Sequence, residues 1–213
     1  MKRKFITISV IILVLLSSCA SKQKIKRERS ETFIADINAF EVDTFHLYSS
    51  SNLNNPKIND FEVLFIPRTN EILVTGKVSV NIIQIVFSYK ERQNLAEAHA
   101  KYLDALNANA IPDVKPKAKN AYSKGKTTVL WGAMGPTHEV DTNYYTNAQY
   151  LEPNKPYFKI TCESAQVQGV EHVSSPKICL YISPSQWEQI MEACNQEHLV
   201  EMTDEILAQA EAF

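Results

Sequence analysis

Glycine is scarce in this chain: five residues in 213, at positions 76, 125, 132, 135 and 169. A loop that cradles phosphate needs closely spaced glycines so that backbone N–H groups can approach the ligand. Their absence excludes a nucleotide-binding loop. The chain also lacks a Gly-x-Ser-x-Gly elbow, a His-Glu-x-x-His helix and a Cys-x-x-Cys pair. Each of these carries a defined nucleophile, zinc site or dithiol, so no catalytic residue, metal ligand set or cofactor is assigned. No apolar run is long enough to cross a bilayer. The longest, Phe5 to Leu16, falls well short of the roughly 20 residues a spanning helix needs. Basic residues are few beyond position 29. Residues 30–213 hold 14 Lys and Arg against 23 Asp and Glu, a net charge of minus nine. That sign opposes nucleic acid as a partner.

The N-terminus has its own organisation. Lys2, Arg3 and Lys4 form a positive head, Phe5–Leu16 an apolar stretch, and Leu16-Ser17-Ser18-Cys19 a gate of small residues. Basic, apolar, small is the order of a secretory signal. Leu-Ser-Ser-Cys resembles the lipobox of bacterial lipoproteins. The resemblance implies cleavage before Cys19, a diacylglycerol on its thiol and an acyl group on the new amine. Two or more acyl chains anchor a protein stably where one does not. The competing reading is ordinary cleavage after Ala20, which would release the body without a lipid. Ala20 stands where a retention Asp would sit, which favours outer-membrane over inner-membrane sorting. Residues 1–18 are therefore read as signal peptide and 19–35 as a basic flexible tether. Lys22, Lys24, Lys26, Arg27 and Arg29, against Glu28, suit that tether to anionic headgroups.

Residues 36–213 are long enough for one domain with a proper core, and no internal repeat or Gly/Ser linker divides them. Strand patterns occur at 39–48, 61–67 and 72–78. The last two are joined by the turn residues Arg68-Thr69-Asn70-Glu71. A change of phase places a tight turn at Ser79–Asn81 before the inward set Ile83, Ile85 and Phe87. From Lys90 the apolar period becomes helical, with Leu95, His99, Tyr102 and Leu106 on one stripe, until the segment before Pro112. His99 reads as packing rather than as a ligand.

Strand signals resume at 127–131, 157–167 and 177–183. Ser183-Pro184-Ser185-Gln186 is a capping box opening a helix that carries Trp187, Ile190, Met191 and Cys194. A second C-terminal helix follows from Val200. The expected fold is α+β: a mostly antiparallel sheet with one central helix and a C-terminal helical segment packed on one face. Cys162, Cys179 and Cys194 are expected as unpaired thiols.

Two stretches stand out in charge. Lys115, Lys117, Lys119, Lys124 and Lys126 make a basic connector. The span 183–213 holds seven acids and no Lys or Arg. The connector is a candidate counterweight to the acids. The segment from Thr137 to Tyr157 combines Tyr144, Tyr145, Tyr150 and Tyr157 with Asn143, Asn147 and Asn154. Flat apolar rings with hydrogen-bonding tips suit a sugar or small ligand, so Tyr144, Tyr145 and Tyr150 are the candidate ligand-binding residues. The plainer reading is a polar hairpin whose rings lean on the sheet.

The turn Pro67-Arg68-Thr69-Asn70, the segments Ala121-Tyr122, Leu130-Trp131-Gly132 and Pro156-Tyr157-Phe158, and the closing Gln186-Trp187 helix are together similar to small treponemal (spirochaete) lipoproteins of unassigned function. That likeness brings no catalytic residues. The leading expectation is a lipid-anchored cell-envelope protein acting as a non-catalytic interaction or structural module. It is held to the membrane through Cys19 and has an envelope protein or cell-wall component as partner. The alternative is a small-ligand or glycan binder using 144–157. A hydrolase would need His138 to converge with Asp141 or Glu139 and a third group.

Overall fold

The computed structural model describes residues 33–52, 54–112 and 114–211. The signal segment, the lipidation candidate Cys19 and most of the tether lie outside the described residues. Along the chain come β1 (Phe40–Ser51), β2 (Lys57–Ile66), β3 (Glu71–Val78), β4 (Asn81–Ser88) and α1 (Tyr89–Asn107). Then follow β5 (Lys124–Gly132), β6 (His138–Glu152), β7 (Lys155–Cys162), β8 (Ile178–Ile182), α2 (Pro184–Ala193) and α3 (Gln196–Glu211).

Each strand pairs antiparallel with the next, and β1 pairs with β8 from Tyr48↔Tyr181 to Ser51↔Ile178, so the sheet closes into an eight-stranded barrel. This corrects the expected open α+β sheet with a central helix. The physical reason lies in the areas to be covered. Alternate residues of every strand present a bulky apolar side chain to one face, for example Phe61, Phe65, Ile85, Val129, Phe158 and Ile178, all fully buried. The helices offer little to set against that face. α1 buries only Leu95, Ala98, His99 and Tyr102, and α2 buries only Trp187. A sheet whose apolar face exceeds its helical cover gains most by packing against itself, and closure also removes both unpaired edges.

The outward positions are mixed: charged residues such as Glu41, Asp60, Glu62, Lys77, Lys126 and Asp141 alternate with an apolar set on β2–β5 that includes Leu64, Ile66, Leu73, Val86 and Leu130. The interior is apolar, unlike the polar lumen of an outer-membrane-type barrel. The tight turn expected at Ser79–Asn81 is present. Val78 pairs with Asn81 and Ser79 takes the positive φ of 61° that a two-residue hairpin loop favours. Inside the barrel, β3 passes close under Phe61. A Cβ on Gly76 would stand 2.4 Å from that ring, so only glycine fits there.

The helices gather at one end of the barrel, where β4 ends and β5 and β7 begin. Ser88 Oγ caps α1 by accepting from the Glu91 N–H at 3.3 Å. The α2 capping box forms as its sequence implies, with Gln186 Oε1 accepting from Ser183 N–H at 2.9 Å. Gln186 Nε2 also donates to the His46 carbonyl at 2.6 Å, which fixes α2 to β1.

α1 lies across the barrel end and is held to it at three levels. Near its start, Tyr144 Oη donates to Glu91 Oε2 at 2.5 Å, and Asn94 Nδ2 donates to Tyr144 Oη at 2.9 Å. In its middle, the His99 ring stacks on Trp187 at 4.7 Å and meets Phe158 edge-on at 5.3 Å. Toward its end, Tyr102 Oη donates to the Pro156 carbonyl at 2.9 Å. Cys162, Cys179 and Cys194 are free thiols. Among the described residues no ion pair joins the Lys115–Lys126 connector to the acids of α2 and α3; the pairs present lie elsewhere, among them Arg68–Asp36, and His46–Asp60 and Lys155–Glu152, the last two at 2.6 Å.

Candidate ligand cavity

The barrel interior is not filled evenly. On the β5–β6 side, Trp131, Val129, Thr127 and Tyr144 occupy the space. On the other side, beneath the helical cap, a cavity of about 380 Å³ lies between β1–β4, β7–β8 and the helices. That size is within the usual range of small-molecule sites, roughly 300–1,000 Å³.

Its floor is aliphatic and aromatic: Phe45 and Leu47 from β1, Phe61 and Val63 from β2, Leu180 and Ile182 from β8. The roof comes from Leu95 and Ala96 of α1 and from Trp187, Ile190 and Met191 of α2. The lining passes from these side chains to exposed Gln93, Asn195 and Glu197. The mouth therefore lies between α1 and the α2–α3 junction.

One cation stands in this largely apolar wall. Arg92, on the first turns of α1, is held by neutral oxygens only. Its Nη2 donates to Asn70 Oδ1 at 2.6 Å and to Gln196 Oε1 at 3.0 Å, and its Nη1 to the Cys194 carbonyl at 3.3 Å. The guanidinium also lies against the rings of Tyr89 and Phe65, at 5.3 and 5.8 Å. Its Nε–H is buried without a partner. Burial pulls its pKa down, and the ionisable neighbours that act on it are Cys194 and Tyr89, neither of them a carboxylate. Cys194 itself is pushed up to about 11 by burial, so its sulfur is a neutral thiol rather than a nucleophilic thiolate at neutral pH.

The residues singled out from sequence are distributed differently. Tyr144 points inward and is 1% exposed, its hydroxyl committed to Glu91 and Asn94. Tyr145, next along the strand, faces the other side of the sheet and is also buried, with Lys177 Nζ 3.5 Å from its hydroxyl. Tyr150 is 42% exposed. The structure does not bring the three onto one surface. His138 and Asp141, an odd number of residues apart on β6, face opposite sides of the sheet. Asp141 accepts from Thr128 Oγ1 at 2.7 Å, while His138 packs on Trp131 at 5.3 Å. No acid–base pair is assembled there. Among the described residues no group of three metal-ligating side chains occurs, and no helix is long and apolar enough to cross a membrane.

Sequence reasoning missed the cavity because its lining is spread over six strands and three helices and reads locally as ordinary core. It also passed over Arg92. The one available signal was a lone Arg falling beside the apolar stripe of a helix, three residues before Leu95.

Comparison with known proteins places the chain among spirochaete sequences. A family described as "Uncharacterised Treponema protein" matches residues 22–201. A protein of Treponema pallidum (strain Nichols), carrying the description "Uncharacterized protein", is 24% identical over 177 residues, covering 83% of this chain and 61% of that relative. The chain thus spans about 61% of the length of the curated relative it matches. No solved structure matches.

Proposed function

Since the chain belongs to the family described as "Uncharacterised Treponema protein", for which no activity is given, we propose from its own geometry that it is a non-catalytic binding module whose barrel takes up a small apolar ligand. The observation that supports this is the cavity of about 380 Å³ beneath the helical cap, lined almost throughout by aliphatic and aromatic side chains. Cores are ordinarily packed with few voids larger than a water molecule, because each lost contact weakens the fold. A space of this size, open to solvent between α1 and the α2–α3 junction, supports an occupant that can enter without unfolding the barrel. The wall carries no ionised thiol and no acid–base pair aimed at a common point, which fits binding rather than bond cleavage.

The location belongs to the same proposal. The signal-like N-terminus and Leu16-Ser17-Ser18-Cys19 support a lipid-anchored cell-envelope protein, held through acyl chains on Cys19 and more suited to the outer than to the inner membrane. A barrel tethered by a basic leash and carrying a net negative charge would stay close to the bilayer without lying on it. From there it could take apolar molecules from the envelope and pass them to an envelope partner.

A neutral fluorophore tests the reading. N-phenyl-1-naphthylamine should bind with a rise in emission, and a series of n-alkanols should displace it, each added methylene tightening displacement about fourfold. Val74 lines the cavity from β3 and is half-buried. Val74→Trp should abolish probe binding while leaving the circular dichroism unchanged. Equal probe binding by wild type and the folded Trp variant would remove the cavity from consideration.

A further inference from the structure

Resting on the reading of the barrel as a ligand-binding module, we infer that its ligand is a single-chain amphiphile whose head is a carboxylate, held by Arg92 with the alkyl chain directed toward the β1–β2 floor. A buried cation is tolerated when it is paired or richly hydrogen-bonded, since desolvation is expensive. Arg92 has hydrogen bonds, but only to neutral oxygens of Asn70, Cys194 and Gln196, and its buried Nε–H has no acceptor at all. No carboxylate of the described residues is paired with it. The nearby carboxylates are engaged elsewhere or exposed: Glu91 Oε2 takes the Tyr144 hydroxyl at 2.5 Å, exposed Asp43, whose charge acts on Cys194, accepts from the Thr44 N–H at 2.7 Å, and Glu197 is exposed.

The guanidinium is therefore a donor group set in the wall of a largely apolar cavity, with no carboxylate of the described residues paired with it. A planar fork of N–H donors matches a carboxylate two bonds at a time. The charge also argues for a carboxylate over a phosphate monoester. Arg92 is the only Lys or Arg among the lining residues, and Glu197 adds negative charge at the mouth. One cation balances a head of charge −1, whereas a phosphate monoester carries about −1.5 to −2 at neutral pH. A single alkyl chain suits an apolar space of about 380 Å³.

Arg92 also ties α1 to the β2–β3 turn and to the α2–α3 junction, so a structural role alone would explain its hydrogen bonds. Headgroup discrimination separates the two roles, because a clip has no preference between ligand heads. The experiment displaces N-phenyl-1-naphthylamine from the full chain with dodecanoate, dodecanol and dodecyl phosphate at neutral pH. Dodecanoate is expected to displace at a concentration about tenfold or more below that of dodecanol, and below that of dodecyl phosphate. Arg92→Met is expected to bring the acid-to-alcohol ratio to about one while the alcohol still binds. Should that variant fail to fold, the wild-type ratio decides alone. Equal displacement by acid and alcohol overturns the headgroup assignment and leaves the cavity reading standing. A phosphate stronger than the carboxylate, or a ratio unchanged in folded Arg92→Met, overturns it as well. Failure of the probe and all three amphiphiles to bind overturns both readings together.

Discussion

His99→Phe isolates a pH dependence built into the helical cap. The His99 ring is 3% exposed, stacked on Trp187 and edge-on to Phe158, and its Nε2 has no hydrogen-bond partner. Burial lowers its pKa from 6.5 to about 4, and no neighbouring charge contributes. A base that binds its proton more weakly folded than unfolded leaves stability intact above pH 6.5. Stability is then lost as pH falls from 6.5 toward 4, where the folded protein finally accepts the proton. The full difference of about 2.5 units corresponds to roughly 3 kcal/mol, and about 2 kcal/mol of it should be gone by pH 5. Phe keeps the stacked ring and cannot titrate. Urea denaturation of wild type and His99→Phe at pH 7.5 and pH 5 measures the difference directly, since carboxylates protonating elsewhere affect both chains alike. Wild type should lose about 2 kcal/mol more than the variant. Parallel losses would refute the claim that His99 is held neutral inside the cap.

Two further outcomes follow from other parts of the molecule. Tyr144→Phe removes the hydroxyl that donates to Glu91 and accepts from Asn94, and should lower unfolding free energy by about 1.5–3 kcal/mol. Tyr145→Phe gives up only the 3.5 Å contact with Lys177 and should stay within about 1 kcal/mol of wild type by urea denaturation. Mass spectrometry of the mature protein from its native membrane should find an acylated N-terminal Cys19, and a free Ser21 or Met1 terminus would remove the lipid anchor.

The strands were legible because their alternation is strong. Ile83, Ile85 and Phe87 on β4, and Phe158, Ile160 and Cys162 on β7, point inward as their period implies. The capping box at Ser183 and the helical stripe through Leu95 and Tyr102 were equally local signals, and both are present. Closure was not legible. It depends on Tyr48 meeting Tyr181 across 133 positions of chain, a pairing that no window of neighbouring residues encodes. The long polar segment after Thr137 misled for a related reason. Tyr144 and Tyr145 look alike in sequence, yet one enters the barrel to fasten α1 and the other packs on its outer wall. The cavity and Arg92 were hidden more deeply, because a void shows only in the sum of side chains drawn from many elements.

Methyl NMR of the full chain, titrated with dodecanol, tests occupancy of the barrel most directly. Shift changes should concentrate on Leu47, Val63, Ile72 and Leu180, whose side chains line the cavity, and should saturate together with one dissociation constant. Changes confined to surface methyls such as Ile58 and Val80, which are 59% and 70% exposed, with the four lining residues unmoved, would contradict ligand binding inside the barrel.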